Sequence, residues 1–270
     1  MPEKDELLSN PVIDILMKRR SIRSFEDKNI PQDVIDIIKR ATLRAPTAGN
    51  QVFYSVIEVE DQQKKEHLAR LCDDQPMIAR APLVWLFLAD VDKWNTYYRE
   101  SGSMEKGKAA GIEVPETGLG EFLLATDDAL IAAQNAVIAA ESFGIGSCYI
   151  GDILENHEQI IDLFNLPRHV AVATLLIFGY PKTRKALPVQ SIRPPADAVF
   201  QKNTYTPYTI EKLRYSYQRQ EEDARRKKKL PFNNTGSLAD EYYFRKHTSD
   251  FMKEMNRSGE LIIKRWKEKD

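Results

Sequence analysis

The chain has 270 residues, a formal net charge of −1, 42% hydrophobic residues and 29% charged residues. This composition is typical of a globular protein that buries a core. A net charge this close to zero gives no overall electrostatic field that would attract nucleic acid or an anionic membrane. The two cysteines, Cys72 and Cys148, have neither a disulfide nor a metal-binding spacing, which favours a reducing cytoplasm. The charged N-terminus lacks the apolar stretch of a signal peptide, and we expect no apolar run long enough to span a bilayer.

A cationic motif lies between two predicted helices near the start of the chain. Apolar spacing predicts a helix over 11–18, and Pro31 opens a second helix at its preferred first-turn position. Between them, residues 18–25 (KRRSIRSF) place three guanidinium groups at i, i+1 and i+4 beside a serine. Planar, always-charged donors suit a phosphate or a carbonyl-rich ring. An isolated run of this kind is more often a solvated basic loop, so the downstream residues decide between the two interpretations.

The second helix ends in the loop 45–51, with sequence APTAGNQ. Proline, a hydroxyl group, glycine and asparagine together predict a tight turn with exposed backbone N–H groups. The segment is either a connecting turn or a loop that grips the polar edge of a ligand.

The middle of the chain alternates predicted strands and helices, which indicates an α/β or α+β layered domain. The predicted elements are strand 53–60, helix 62–72, strand 83–89, helix 122–143, strand 147–150, helix 156–164 and strand 170–178. The helix 122–143 is apolar around much of its girth, which indicates a core helix or one that also packs on a partner chain. The segment 93–118 is either a mobile excursion or two irregular helical turns.

The tail after Pro181 is more basic and contains no repeat. We predict a proline-rich loop over 182–195, a tyrosine-rich helix over 209–226 and a last amphipathic helix that ends at Trp266. A cationic run at 225–229 precedes a break at 231–236, and we expect this tail to extend the first body.

Several enzyme classes are disfavoured by the motifs. The chain has no GxSxG elbow and no P-loop, and its four scattered histidines have no zinc-type spacing. The Gly144-Ile145-Gly146 sequence lacks the GxGxxG spacing of a dinucleotide-binding turn and follows a helix. The run 225–229 has no interleaved aromatic residues, which argues against nucleic-acid binding. The remaining polar and cationic residues suit a cofactor that performs the chemistry itself.

Three spaced motifs together resemble the FMN-dependent nitroreductase family, and more closely its NADPH-nitroreductase and flavin-reductase group. They are RRSIRSF at 19–25, the loop 45–50, and GIGSCYIGDI at 144–153 followed by LFNLPRHV at 163–170. The resemblance implies an α+β fold with a central, mostly antiparallel sheet flanked by helices, built as an intertwined homodimer. It also implies an FMN-binding domain over 1–200 and a C-terminal helical extension of that domain over 201–270.

The resemblance implies two FMN molecules at the dimer interface. The first motif and Arg193 would contact the phosphate and the isoalloxazine edge, the partner's loop would lie close to the flavin, and Gln75 would line the pocket. The implied cofactor-binding residues are Arg19, Arg20, Ser21, Arg23, Thr47, Ala48, Asn50, Gln75, Tyr149, Ile150, Gly151, Asp152 and Arg193. For the extra phosphate of NADPH, the resemblance points to Arg225 and Arg226. No catalytic side chain and no metal are implied.

The chain departs from the family's pattern at several positions. Thr47 and Ala48 replace a pair of serines, and Val52 stands where a glutamine is usual. Ser191 replaces a lysine, and Asp152 replaces the second glycine of a YIGG-like segment. The carboxylate of Asp152 is therefore an addition to the expected site.

The resemblance implies an oxidoreductase that passes two electrons from NAD(P)H, with NADPH favoured, to nitroaromatics, quinones or free flavin by a ping-pong mechanism. Its partners would be the nicotinamide donor, a small oxidised acceptor and a second copy of the chain, without nucleic acid or membrane. The alternatives are a non-catalytic flavin carrier or redox sensor of the same fold, and a basic-tailed interaction module without cofactor.

Overall fold

The computed structural model describes residues 10–182, 190–231 and 235–268. Its helices are α1 Pro11–Lys18, α2 Gln32–Leu43, α3 Gln62–Leu71, α4 Pro76–Arg80, α5 Asp92–Glu100, α6 Ser103–Ala109, α7 Leu119–Ser142, α8 His157–Phe164, α9 Ile210–Arg226, α10 Leu238–Tyr242 and α11 Asp250–Lys267. Its strands are β1 Tyr54–Glu58, β2 Leu83–Asp90, β3 Gly146–Ile150 and β4 Val170–Gly179. Parts of the predicted loop 182–195 and of the break 231–236 lie outside the described residues.

The four strands form one antiparallel sheet in the order β1-β2-β4-β3. All eight residues of β2 are buried, as the continuous apolar run LVWLFLA at 83–89 predicts for a central strand covered on both faces. Helices pack on both faces of the sheet, and the two largest core clusters lie there. The expected α+β fold with an antiparallel sheet is therefore confirmed.

The long helix α7 has one face in the core and one face outside it. Its buried side is mostly alanine, which allows close approach to β2 and β4. By length and composition α7 could cross a membrane, so the expectation that no apolar run is long enough is corrected. The packing of its alanine face on the sheet identifies it as a core helix.

The segment 93–118 contains two helices, α5 and α6, which decides between the two interpretations of this region. Neither helix has a fully buried residue, although Trp94 of α5 packs partly on the core, so the apolar pattern of this region gives only a weak helix signal. Two short helices were not predicted at all, α4 and α10, because five residues are too few for a periodic signal.

The chain divides into two compact units. The first comprises Met1–Pro188 and Met255–Asp270, and it contains the sheet and the end of α11. The second comprises Val189–Glu254, and its small core joins Ala224, Leu230 and Leu238. The division expected from the sequence, an FMN-binding domain over 1–200 with a helical extension over 201–270, remains a prediction.

The cationic motif is fastened to the sheet at two glycines. Ser21 pairs with Ser147 in a parallel bridge, and the Ile22 N–H donates to the Ser147 carbonyl at 2.9 Å. A Cβ atom on Gly146 would lie 2.8 Å from the Cβ of Ile22. A Cβ on Gly179 would lie 2.7 Å from the ring of Phe25. The motif can lie this close to the sheet only because both positions lack a side chain.

We expect Gly146→Ala to lower the free energy of unfolding by about 1–3 kcal/mol, because the new methyl group overlaps Ile22. Urea unfolding provides the measurement. In an Ile22→Ala background, which removes the closest side-chain carbon, Gly146→Ala should cost less than it does in the wild type. In Gly120→Ala, where no atom lies within 4 Å of the new Cβ, stability should not fall. Equal losses in the two glycine variants would contradict this account of the motif's attachment.

Candidate functional site

The motif gathers three arginines at the edge of the sheet beside β3. Arg19 and Arg20 are half-buried, whereas Arg23 is exposed. The Nε of Arg20 and the Oγ of Ser147 are buried and have no hydrogen-bond partner among the described residues. Buried polar groups are nearly always paired, so two such atoms beside one cationic motif fit a site completed by a polar, anionic ligand. The three guanidinium groups would suit the phosphate and ring edge of FMN.

A carboxylate that the motifs did not reveal lies next to the arginines. Burial raises the pKa of Glu141, in the last turn of α7, to about 7, and the charges of Arg19 and Arg20 oppose that rise. Its Oε1 atom is buried without a hydrogen-bond partner in the described part of the chain. Glu141 therefore carries a negative charge near the cationic motif above neutral pH and loses most of it in mild acid.

The end of β3 continues the same edge. The Tyr149 hydroxyl donates to Gln134 Oε1 of α7 at 3.2 Å. Burial raises the pKa of Tyr149 to about 12, against the opposing charge of Arg19, so the phenol stays protonated at neutral pH. Burial also raises the pKa of the Cys148 thiol, which is therefore an unreactive core residue despite the nearby charge of Arg23.

A turn over Gly151–Leu154 follows β3 and brings Asp152 to this edge. Burial raises the pKa of Cys72 to about 12, and the charge of Asp152 adds to the rise, which places this carboxylate near the end of α3. Gln75 lies just beyond, where its backbone N–H donates to the Ala69 carbonyl at 2.9 Å. The motif, the segment 149–152 and the Gln75 turn thus lie along one edge of the first unit.

The predicted ligand-binding loop is held by a different part of α7. Asp128 is buried, and its two carboxylate oxygens accept the N–H groups of Ala48 at 2.8 Å and Phe53 at 3.0 Å. The Val52 N–H donates to Thr47 Oγ1 at 3.3 Å across the same turn. Asn50 is exposed at the tip with φ 57°. Asp128 therefore fixes both ends of the turn while the tip stays open to solvent.

In a single chain the loop and the motif lie far apart. Asp128 holds the loop in the first half of α7, whereas Glu141 lies beside the motif in its last turn. At 1.5 Å per residue these positions are about 20 Å apart along the helix. The structure therefore does not bring Thr47, Ala48 and Asn50 together with the other predicted residues of the same chain.

The remaining predicted residues belong to the second unit. Arg193 is exposed, and the carbonyl of the preceding Ile192 accepts from Gln220 at 2.8 Å. Arg225 pairs with Glu221 at 2.9 Å, and Arg226 pairs with Asp223. Both predicted NADPH-binding arginines therefore have carboxylate partners on their own helix α9.

Comparison with known proteins decides the family. The model of the nitroreductase family matches residues 16–180, a span that includes the motif, the loop 45–51 and all four strands. The chain belongs to the nitroreductase family.

Curated relatives of this nitroreductase-family chain include an NADPH-dependent FMN reductase of Bacillus subtilis, 33% identical over 73% of this chain and 75% of the relative. An oxygen-insensitive NADPH nitroreductase of Salmonella typhimurium is 31% identical over 78% of this chain and 81% of the relative. The solved structure of a B. subtilis nitroreductase superposes with a TM-score of 0.76 at 25% identity, covering 93% of this chain and 98% of that chain.

Two residues that organise the site of this family member were missed from the sequence. Asp128 is a carboxylate at a core position of an apolar helix, between the alanines at 125 and 129. Glu141 comes directly after Ala139-Ala140, shortly before the GIG turn. In both cases a charged residue interrupts an apolar pattern. That interruption is the sequence feature by which these two carboxylates could have been identified.

The pKa shifts of two buried groups predict opposite effects of pH on stability. Because the folded-state pKa of Glu141 is raised to about 7, its stabilising contribution is full below its ordinary value of 4.5 and is lost as the pH rises through 7. Burial lowers the pKa of His157 from 6.5 to about 4, helped by Arg265, so its contribution is full above 6.5 and is lost as the pH falls through 4. In the wild type the two trends offset each other.

We therefore expect Glu141→Gln to make the free energy of unfolding rise more steeply between about pH 4.5 and 6.5. His157→Asn should make it fall over the same range, and the double variant should be nearly flat. Urea unfolding of ligand-free protein across this range measures the slopes. An unchanged slope in Glu141→Gln would show that Glu141 does not titrate as assigned.

Proposed function

We propose that the protein is an FMN-dependent oxidoreductase that passes two electrons from NAD(P)H to nitroaromatics, quinones or free flavin. The main observation behind this proposal is the cluster of Arg19, Arg20 and Arg23 at the edge of the sheet beside β3, where the Nε of Arg20 is buried without a described partner. The relatives named as NADPH-dependent FMN reductases and nitroreductases support the same assignment. We also propose a cytoplasmic location, in keeping with two free, buried cysteines.

FMN, when bound, supplies the two-electron redox chemistry. The chain's own residues bind and orient it, with Arg20 for the phosphate and Arg23 with Ser21 for the ring edge. Positive charge at that edge stabilises negative charge that develops on the ring during reduction. The backbone of 149–152 supports the same edge, and no side chain acts as a nucleophile. The order of binding is ping-pong, in which the nicotinamide donor leaves before the acceptor binds.

A second copy of the chain completes each site in this proposal. The loop 47–50 and the motif are about 20 Å apart along α7 in one chain. A partner whose loop approaches the motif would bring both around one flavin. The loop is suited to this role because Asp128 holds it from behind and leaves its tip exposed.

The apolar surface supports such a homodimer. The outer face of α7 exposes Leu123, Leu124, Leu130 and Ile131, with Leu123 62% exposed. Helix α1 buries no residue within the chain and presents four large apolar side chains to solvent. Contiguous exposed apolar surface of this kind marks an interaction site. An interface over these helices would fit the class of permanent dimers, which bury more than about 2,000 Å².

We expect the double variant Arg20→Ala/Arg23→Ala to be purified without FMN. Each lost charge-assisted hydrogen bond costs about 1.5–3 kcal/mol of binding free energy. The visible absorption spectrum and titration with FMN measure the loss. Arg70→Ala removes an exposed arginine on α3 and should leave flavin content unchanged. Full flavin content in the double variant would rule out this motif as the FMN site.

We expect Leu123→Asp/Leu130→Asp to dissociate the dimer, because two carboxylates would be buried without partners at the interface. Light scattering of the wild type at micromolar concentration should give twice the 31.0 kDa chain mass, and the variant should give the monomer mass. Tyr97→Asp changes an exposed side chain on α5 and should remain dimeric. A stable, FMN-bound wild-type monomer is the result that this proposal does not allow.

For the nicotinamide donor we propose that Arg225 and Arg226 bind the 2′-phosphate of NADPH. Because Glu221 and Asp223 already pair with them, the phosphate must compete with these carboxylates. Arg225→Ala/Arg226→Ala should lower kcat/KM for NADPH about tenfold or more and leave that for NADH unchanged. Asp223→Asn should raise kcat/KM for NADPH. Equal kcat/KM for NADPH and NADH in every variant would show that Arg225 and Arg226 do not bind the 2′-phosphate.

A further inference from the structure

A cavity of about 270 Å³ lies in the first unit beside the loop 45–51, and none of its lining residues belongs to the cationic motif. It is enclosed by α5, α6, the segment 112–117 and the start of α7. Its apolar wall is formed mainly by Phe53, Trp94, Tyr98, Met104, Ile112 and Val114. The segment 93–118, which neither the sequence motifs nor the proposed function explains, therefore borders a partly open cavity.

The rim of the cavity is fixed by polar contacts. Thr117 Oγ1 donates to Asn95 Oδ1 at 3.0 Å, and Asn95 Nδ2 lies 3.2 Å from His169 Nδ1. The Glu121 carboxylate accepts the Gly118 N–H at 3.0 Å. Neither α5 nor α6 has a buried residue, so these helices surround the cavity without filling it. Apolar walls around unfilled space lose their packing contacts, which a ligand of matching shape would restore.

The lining also defines the charge of a suitable ligand. The lining includes two acidic residues, Glu116 and Glu121. Among the described residues that line the cavity there is no lysine or arginine. Two carboxylates in a partly enclosed site disfavour an anion. The aromatic wall, with Trp94 and Tyr98 rings 5.5 Å apart, suits a flat ring. Ser103 and Thr117 offer hydroxyl groups for one polar substituent.

We propose that this cavity is a binding site for a small, uncharged aromatic molecule that carries a hydrogen-bonding substituent. Its wall is joined to the loop 45–51, because Trp94 Nε1 donates to the Gln51 carbonyl at 2.6 Å and Gln51 Nε2 donates to Tyr98 Oη at 2.9 Å. A molecule in the cavity contacts the same two rings that hold the residue next to Asn50. Any effect of occupancy on the flavin rests on the proposed function, whereas binding itself does not.

The test is fluorine NMR titration of the purified protein with 4-fluorophenol, which is neutral at pH 7, and with 4-fluorobenzoate, which is an anion. We expect saturable binding of the phenol and at least about tenfold weaker binding of the benzoate. Gly107 lines the cavity, and no atom lies within 4 Å of a Cβ placed on it. Gly107→Leu should therefore fill the space and weaken phenol binding at least about tenfold.

The matched control is Gly259→Leu on α11, where a Cβ also meets no atom within 4 Å and which lies outside this cavity. It should bind the phenol as the wild type does. If Gly107→Leu fails to fold, Met104→Trp fills the same space from a neighbouring wall position. No binding of the phenol to the wild type, equal binding of the benzoate, or unchanged binding in the filled variant overturns the proposal. The flavin spectrum of each sample reports separately on the proposed function.

Discussion

The close approach of the cationic motif to the sheet is the constraint on which the site depends. Ile22 and Phe25 lie over Gly146 and Gly179, two paired residues at the start of β3 and the end of β4. Because neither glycine has a side chain, the motif can add to the sheet edge and place its arginines beside β3. The same contact buries Ser147 and leaves its hydroxyl without a described partner.

Helix α7 then determines how the site is divided. Its alanine face anchors it to the sheet, and two of its carboxylates, the buried Asp128 and the half-buried Glu141, lie about 20 Å apart along the helix in different surroundings. Asp128 holds the loop by accepting two backbone N–H groups, while Glu141 lies near the charges of Arg19 and Arg20 in the motif. The outer face of the same helix carries the exposed leucines. A helix that supports both parts of a site at its two ends and offers an apolar face between them is suited to pairing with a second copy.

Much of the fold could be predicted from the sequence, because β2, β4 and α7 are long and buried enough for their apolar patterns to identify them. The antiparallel character of the sheet came from the family resemblance, and the strand order was not predicted, since apolar runs do not encode pairing. Helices α5 and α6 were ambiguous in the sequence because neither has a fully buried residue. The role of Asp128 was hidden because its partner Ala48 lies 80 residues away, and no local rule pairs a helix carboxylate with a distant backbone N–H. The assignment of the FMN-binding residues remains a prediction.

The most direct test of the two-copy site is complementation between differently tagged chains that are co-expressed. One chain carries Arg20→Ala/Arg23→Ala and the other carries Thr47→Ala/Asn50→Ala, and the mixed dimer is isolated through both tags. If each site combines the motif of one chain with the loop of its partner, one site of the mixed dimer keeps both intact parts. The account then predicts one FMN per mixed dimer, although each variant alone binds little or none. A mixed dimer without FMN would show that the motif and the loop act within the same chain and would contradict the account.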